Sequence, residues 1–452
     1  MSRNPGPGMN LKAAATGIAR RLQTAGFAAY WVGGSVRDFL LGREPHDYDI
    51  ATSAKPEQIE ALFARTIPVG RKFGVIVVLE GGHEFQVATF RAEGDYQDGR
   101  RPERVEFSNA QADASRRDFT VNGLFYDPVA DQLHDWVGGA ADLKAKVLRT
   151  IGSPEERFAE DHLRMLRAVR LAAQLDFQIE PTTMAAVQAM APKIRGISAE
   201  RIREELVKLF RPPHAARGLD LLRDSGLLAL VLPEIAAMIT CEQSPDFHPE
   251  GSVYNHVRLM LSQLPADAPE LLPWTVLLHD VAKPVTASTD PVTGSIHFYG
   301  HEKLGAEMAT SLLQRLKFPR QPTEEVSAVV LHHMQFKDVT HMRKATLRRM
   351  LLRETFPLEL ALHRLDCLGS HRRLDHYDFM VEQAAAFAQQ PEILPPLLNG
   401  NDLQALGIPA GPGMGRLLHE LREHQLQDEL KTAEEARDWV RQRVAANNSP
   451  AV

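Results

Sequence analysis

The hydrophobic pattern of this chain changes period once, near Gly152, and that change limits the folds open to it. Before Gly152 the apolar runs are short and strand-like: Phe27 to Val32 (FAAYWV), Val75 to Leu79 (VIVVL), Glu84 to Phe90 (EFQVATF), and briefer runs around Val105 and Leu133, parted by Gly-rich turns. After it, apolar residues recur at a helical period almost to the end, broken by Pro212-Pro213 and Pro395-Pro396. A mixed sheet with helices, followed by a long all-α portion, is therefore predicted: an α+β chain. Its 452 residues allow about three domains, each with its own core.

The first run ends at a glycine pair. Gly33-Gly34 leads into Val36-Arg37-Asp38-Phe39-Leu40-Leu41 at helical spacing, so the segment reads strand, turn, helix. A turn of this kind aims backbone N–H groups and a helix N-terminus at an anion. Gly42-Arg43-Glu44-Pro45 stops the helix, and Asp47-Tyr48-Asp49-Ile50-Ala51-Thr52 begins a second strand. Residues two apart on a strand share a face, which brings Asp47 and Asp49 together. Two carboxylates so placed repel each other unless a cation lies between them, and an oxygen-rich site beside a phosphate turn suits Mg²⁺. In a two-metal arrangement one ion activates an attacking hydroxyl and the other steadies leaving pyrophosphate. An isolated Asp-x-Asp is common on surfaces; joined to the glycine turn, it points to metal-dependent nucleotidyl transfer.

Charge sets few limits. The chain holds 52 Lys+Arg against 58 Asp+Glu, a net of -6, which argues against a general basic coat for nucleic acid. Local arginine clusters remain at Arg100, Arg101, Arg104, Arg116 and Arg117; at Arg195, Arg201, Arg203, Lys208, Arg211 and Arg217; and at Arg343, Lys344, Arg348 and Arg349. Any one of them taken alone reads as a solvated helix face. Cys241 and Cys367 are far apart and form no framework, the N-terminus lacks an apolar leader, and no apolar run is long enough to span a bilayer. A soluble cytoplasmic protein is expected. The Gly-, Asp- and Arg-rich segment Arg91 to Arg104 is expected to be a mobile loop.

Two further clusters carry chemistry. In Ser115-Arg116-Arg117-Asp118-Phe119-Thr120-Val121-Asn122, consecutive arginines entering an apolar helix match triphosphate oxygens through their guanidinium forks, while Asp118 reads equally as a structural salt bridge. In Glu160-Asp161-His162-Leu163-Arg164-Met165-Leu166-Arg167-Ala168-Val169-Arg170, Leu163, Leu166 and Val169 form a packed stripe, and Asp161, Arg164 and Arg167 step round the other side of one helix. Asp161 and Arg164 are neighbours there, which is compatible with an ordinary surface ion pair. They also suit base reading. Cytosine and adenine each show an exocyclic amine beside a ring acceptor, so a carboxylate next to an arginine accepts both and refuses uracil and guanine.

These three clusters resemble the motifs of the class II tRNA nucleotidyltransferase and bacterial poly(A) polymerase family, a branch of the polymerase-β superfamily. The likeness lies in Val32-Gly33-Gly34-Ser35-Val36-Arg37-Asp38 with Asp47-Tyr48-Asp49, in Arg116 to Asn122, and in Glu160-Asp161 with Arg164, Arg167 and Arg170. It spans roughly residues 25 to 215 and continues weakly at Asn399 to Leu403 and Gly411-Pro412-Gly413. It implies a polymerase-β-like nucleotidyltransferase head, then an elongated all-α neck, body and tail. The implied boundaries are an N-terminal extension and first helix to 24, the head over 25–150, a nucleotide- and RNA-binding neck over 151–215, a helical domain over 216–375, and a tail over 376–452. By the resemblance Asp47 and Asp49 are catalytic and hold Mg²⁺. Gly33, Gly34, Arg37, Arg117, Arg167 and Arg170 contact the nucleotide, and Asp161 and Arg164 read its base. Gly123 stands where the family more often has alanine, a change expected to matter little, and Glu84 is a third-carboxylate candidate by its strand alone.

The C-terminal half carries a separate signal. His256, then His279-Asp280 in an apolar helix (TVLLHDVAKP), His301, His332-His333 and Asp366 follow the order of the HD phosphohydrolase family. The resemblance implies a metal site at His256, His279, Asp280, His301, His332 and Asp366. Imidazoles with carboxylates suit Mn, Ni or Fe. The leading expectation is a template-independent enzyme that adds CCA to the tRNA 3′ end from CTP and ATP, releasing pyrophosphate. A poly(A) polymerase or A-only-adding enzyme shares the same head, and an HD phosphohydrolase acting on RNA ends or nucleotides is the third reading. Oligomeric state is not legible.

Overall fold

The computed structural model describes residues 10–92, 106–244, 249–388 and 396–448. The chain divides into two compact units, Met1–Ala236 and Ala237–Val452.

The first unit is built on a seven-stranded mixed sheet. Its strands are β1 (Ala29–Val32), β2 (Asp49–Thr52), β3 (Thr66–Gly70), β4 (Val75–Glu80) and β5 (His83–Thr89), then β8 (Phe125–Asp127) and β9 (Gln132–His134), in the order β3-β4-β5-β2-β1-β8-β9. A separate pair, β6 (Arg91–Ala92) with β7 (Glu106–Phe107), lies between them in sequence. The expected loop from Arg91 to Arg104 thus begins as strand, and its remaining residues, with Arg100, Arg101 and Arg104, lie outside the described residues. β1 runs antiparallel to β2 and β8, while β2 runs parallel to β5. Burial alternates at the entry to β2, where Tyr48 and Ile50 are buried and Asp47 and Asp49 exposed, and then Ile50, Ala51 and Thr52 are all buried within the sheet. β3 and β8 have no counterpart among the predicted runs. Pro68 in β3 disguises it, and its exposed residues at the sheet's edge are where a strand tolerates proline.

Helices follow. Leu11–Thr24 starts at Asn10, whose side chain accepts from the Lys12 N–H, and buries Ala14, Ala15, Ile18, Ala19 and Leu22 beside the sheet. Beyond residue 150 come Pro154–Glu160, Leu163–Leu175, Pro181–Met190, Ala199–Leu209 and Ala215–Asp224, with Pro212-Pro213 in the break before the last. The segment Glu160 to Arg170 is not one helix. Asp161 has extended φ/ψ of -150 and 105, and the next helix begins at Leu163. The carboxylate of Asp161 accepts from the Leu163 N–H at 3.0 Å, a local bond that competes with helix continuation.

The second unit is helical. Leu272–Leu278 is buried on every side and delivers His279 and Asp280; Val253–Ser262, His301–Arg315, Arg320–His332 and Phe356–Gly369 supply His256, His301, His332 and Asp366, and His333 opens the 3-10 segment His333–His341 that follows. Helices Gly400–Ala405, Pro412–Leu426 and Ala433–Asn448 close on a core of Leu398, Leu403, Met414, Leu421, Leu430, Ala436 and Val440. No helix among the described residues is long and apolar enough to cross a membrane.

Candidate active site and metal centre

The strand register brings the acidic pair to the glycine turn. Asp49 faces Val32 across β1 and β2, so its carboxylate lies beside the point where the chain turns at Gly33. Gly33 takes φ +73, and a Cβ there would lie 3.1 Å from Arg117 Nη1. The backbone conformation is the one that favours glycine, and an added Cβ would also press on the tip of the arginine. Gly34 opens the helix Gly34–Leu40 against the Arg37 guanidinium.

Asp47 acts on Asp49 through its charge, and among the described residues no ion pair occupies either. Burial raises the pKa of Asp49, the Asp47 charge raises it further, and Arg117 opposes both. The carboxylate is reachable by solvent yet crowded by protein, with a charge of like sign acting on it that Arg117 opposes. Repulsion of this kind is what a bound divalent cation removes, so the pair fits one. Glu84, exposed on β5, is not drawn into a three-residue cluster with them; among the described residues both such clusters involve Asp280.

From Arg37 a continuous network crosses the unit. Arg37 donates to Asp38 through Nε (2.9 Å) and Nη2 (3.0 Å), and through Nη1 to Asn122 Oδ1 at 2.7 Å. Asn122 Nδ2 donates to Asp118 Oδ1 at 3.3 Å, and Arg167 donates to Asp118 Oδ2 from Nε (2.9 Å) and Nη2 (2.6 Å). Arg167 Nη1 is 3.9 Å from Glu205 Oε1, and Glu205 Oε2 takes Arg170 Nε at 2.5 Å. Burial of Asp118 would lift its pKa, but Arg167 and the Asn122 amide hold it down at about 2. Asp118 is thus both salt bridge and connector. Arg117 is held by Asp113, which is 1 % exposed and also takes Arg116 at 2.5 Å and the Arg91 N–H at 3.2 Å.

The base-reading pair differs from its expected form. Asp161 and Arg164 form no ion pair with each other. Asp161 pairs with Arg201 (Nη2 to Oδ2 2.6 Å, Nη1 to Oδ1 3.3 Å), while Arg164 pairs with Glu160 and donates to the Arg157 carbonyl at 3.1 Å. These bonds leave one lone pair on Asp161 Oδ2 and the Nε and Nη2 hydrogens of Arg164. Arg201, read from sequence only as one of a basic cluster, and Glu205 and Asp113, not singled out, are the residues sequence reasoning missed. Arg201 and Glu205 are four apart on one helix, a spacing that signals a shared face but not what it meets. Around Gly123 an added Cβ would lie 2.7 Å from Val137 Cγ2, so glycine there is matched to its neighbours.

In the second unit four imidazoles converge. His279 Nδ1 bonds the Val276 carbonyl (2.9 Å), His301 Nδ1 that of Phe298 (2.7 Å), and His333 Nδ1 that of Val330 (2.6 Å). A carbonyl can only accept, so each Nδ1 carries the proton and each Nε2 keeps its lone pair; those of His301 and His333 come within 3.2 Å of each other. His256 Nδ1 bonds Glu250 at 2.7 Å, and its Nε2 is 3.1 Å from Asp366 Oδ1. His279 Nε2 lies 3.1 Å from Asp280 Oδ2, buried and without a hydrogen bond. His301 and His333 stand 3.5 and 3.8 Å from Asp280 Oδ1. Two triads, His256 with His279 and Asp280, and Asp280 with His301 and His333, have the closeness of a metal site. The donor set fits a transition metal. Burial lowers the pKa of His256, yet Asp366 and Glu250 outweigh it and hold it at about 9; burial and His279 lower His333 to about 3. His332 does not join the cluster: its Nδ1 bonds Glu359 at 3.1 Å. Successive residues on a helix point about 100° apart, so only one of two adjacent histidines faces inward, and it is His333.

Family models match in three places: "Poly A polymerase head domain" over residues 29–149, "Probable RNA and SrmB- binding site of polymerase A" over 176–239, and "HD domain" over 251–368. The CCA-adding enzyme of Lactobacillus helveticus is 46% identical over 211 residues, 46% of this chain and 53% of that protein. That of Latilactobacillus sakei is 41% identical over 278 residues, 60% of this chain and 69% of it. The matched part thus spans only about half the length of several of these relatives. The Bacillus stearothermophilus CCA-adding enzyme, solved in complex with CTP, superposes with a TM-score of 0.75 at 28% identity, covering 98% of this chain and 100% of that one. The Thermotoga maritima enzyme complexed with tRNA shares the fold, with a TM-score of 0.59 at 19% identity over 95% of this chain and 94% of that one.

Proposed function

The chain belongs to the family of CCA-adding enzymes, and on that footing we propose that it adds C, C and A to the tRNA 3′ end from CTP and ATP, releasing pyrophosphate. The observation that carries this is Asp49, set opposite Val32 beside the Gly33 turn, with the Asp47 charge acting on it and among the described residues no ion pair at either. Mg²⁺ ions held there would supply Lewis acidity to the attacking hydroxyl and the leaving phosphates. The turn at Gly33-Gly34 presents backbone N–H groups to the triphosphate, and Arg37 and Arg117 neutralise it. Asp118 and Glu205 hold Arg167 and Arg170 at fixed points along the nucleotide. Asp161, oriented by Arg201, accepts from an exocyclic amine while Arg164 donates to the ring nitrogen beside it. Positioning and fixed charge then supply most of the acceleration.

Domain limits at 24, 150, 215 and 375 belong to this reading; the family matches that end at 149 and 368 support those at 150 and 375, whereas the match over 176–239 runs across the limit at 215. Work in the cytoplasm suits two buried free thiols, Cys241 and Cys367. The deciding experiment incubates purified protein with tRNA lacking its 3′ end and each triphosphate separately. C-C-A incorporation supports the proposal; A-only tailing moves it to poly(A) or A-only addition; no incorporation removes it.

A second activity is favoured by the convergence of buried Nε2 atoms on Asp280. A cluster of this kind, holding Mn, Ni or Fe, suits hydrolysis of phosphate esters at RNA ends or on nucleotides. Metal-dependent phosphate release, lost in His279→Ala while nucleotide addition continues, is its test.

A further inference from the structure

Beside the histidine cluster lies a pair of rings that neither activity above uses. Ser288–Thr289 and Ile296–His297 form a short antiparallel hairpin, and the chain passes through Phe298, Tyr299 and Gly300 into the helix that begins at His301. Tyr299 is 78% exposed, and its ring stacks on that of His297 with centroids 5.2 Å apart and planes within 17°. The residue between them is anchored to the cluster. The Phe298 carbonyl accepts from His301 Nδ1 at 2.7 Å, and its ring lies 5.3 Å from Lys283 Nζ. Lys283 is itself buried, 2.7 Å from both Asp280 Oδ2 and Gln243 Oε1. Tyr299 is two residues from His301, so their Cα atoms are at most about 7 Å apart.

Burial gives no reason for an ordered aromatic pair in this exposed place. A solvent-facing π surface two residues along the chain from His301 of the proposed hydrolytic cluster has the form that nucleobases stack on. We infer that His297 and Tyr299 form a base-stacking subsite for the nucleoside that bears the scissile phosphate. The inference rests on the hydrolase reading of the cluster. In the reaction served, the oxygen of water bonds to phosphorus and the bond from phosphorus to the ribose oxygen breaks. The ribose oxygen keeps the electron pair and takes the water's proton, and inorganic phosphate leaves. Since every base has a π face, the subsite discriminates nucleosides from other phosphate esters, not one base from another.

The test uses the full chain with its seven tyrosine rings isotopically labelled. The Tyr299 signal is assigned by its loss in Tyr299→Phe, which makes the readout local to the hairpin and blind to nucleotide bound at Asp47 and Asp49. Adenosine 3′-monophosphate shifts that signal and glycerol 2-phosphate does not; an unmoved signal overturns the subsite. With Mn²⁺ loaded, Tyr299→Leu raises KM for adenosine 3′-monophosphate by roughly tenfold, leaves kcat and the KM for glycerol 2-phosphate unchanged, and Tyr299→Phe restores the original value. Equal KM in Tyr299→Leu and the unaltered chain overturns the proposal. If the unaltered chain hydrolyses neither ester, the hydrolase reading falls, and the ring signal still decides the subsite.

Discussion

Arg167 donates two hydrogen bonds to a single carboxylate oxygen of Asp118, 49 residues away in sequence, and that oxygen belongs to a residue bonded on its other side to Asn122. The pair joins the sheet-bearing part of the first unit to the helix Leu163–Leu175. Asp118, nearly buried, has its pKa depressed to about 2 against an ordinary 3.8, burial being overcome by Arg167. A depressed carboxyl adds stability that is fully present above pH 4 and disappears as pH falls through about 2, here of order 2 kcal/mol. Asp118→Asn should therefore lower the unfolding free energy at pH 7 by about 1–3 kcal/mol, and less at pH 2. Denaturant titration at the two pH values measures this; an equal loss at both would assign the effect to packing.

Asp47→Ala or Asp49→Ala should abolish nucleotide incorporation while tRNA affinity stays within about twofold. Single-turnover incorporation and filter binding separate the two effects. Activity surviving in either variant would remove the acidic pair from the chemistry.

Because Arg201 fixes the orientation of Asp161, Arg201→Ala should loosen base choice much as Asp161→Ala does. The ratio of kcat/KM for CTP over UTP should fall by roughly tenfold or more, the scale of one lost charge-assisted hydrogen bond. If the ratio stays put in Arg201→Ala but falls in Asp161→Ala, Arg201 does not position the carboxylate.

Gly33→Ala places a side chain at φ +73 and a methyl against Arg117. The strain is expected to cost about 1–2 kcal/mol, and the displaced guanidinium should raise KM for triphosphate. Thermal unfolding and initial rates report the two separately.

The adjacent histidines give a sharp contrast. His333→Ala should lose most bound metal, whereas His332→Ala, which removes only a partner of Glu359, should keep it. Metal content after dialysis decides the matter, and both variants should retain nucleotide addition.

Local rules were enough to read the strand that begins at Asp49, the glycine turn and the order of the HD-type histidines. Asp47 precedes that strand, so alternation alone does not fix its face, while Gly33 at positive φ is a property of one residue. Helical period likewise gave most of the second half. Where Asp161 leaves the helix, the sequence carried the signal, a short acidic side chain ahead of an apolar run, but the continuous pattern around it hid the break.

The rest was decided by packing between segments distant in sequence. Arg201 meets Asp161 and Glu205 meets Arg170 because the helices Ala199–Leu209 and Leu163–Leu175 lie together, and no periodicity names a partner 35 or 40 residues away. His332 and His333 are equal candidates in the sequence. Their different roles follow from the roughly 100° between successive helical side chains, which the position of the helix resolves by turning one toward Asp280 and the other toward Glu359. Sequence determines which groups are available and which face each shares; the fold alone determines what each face meets.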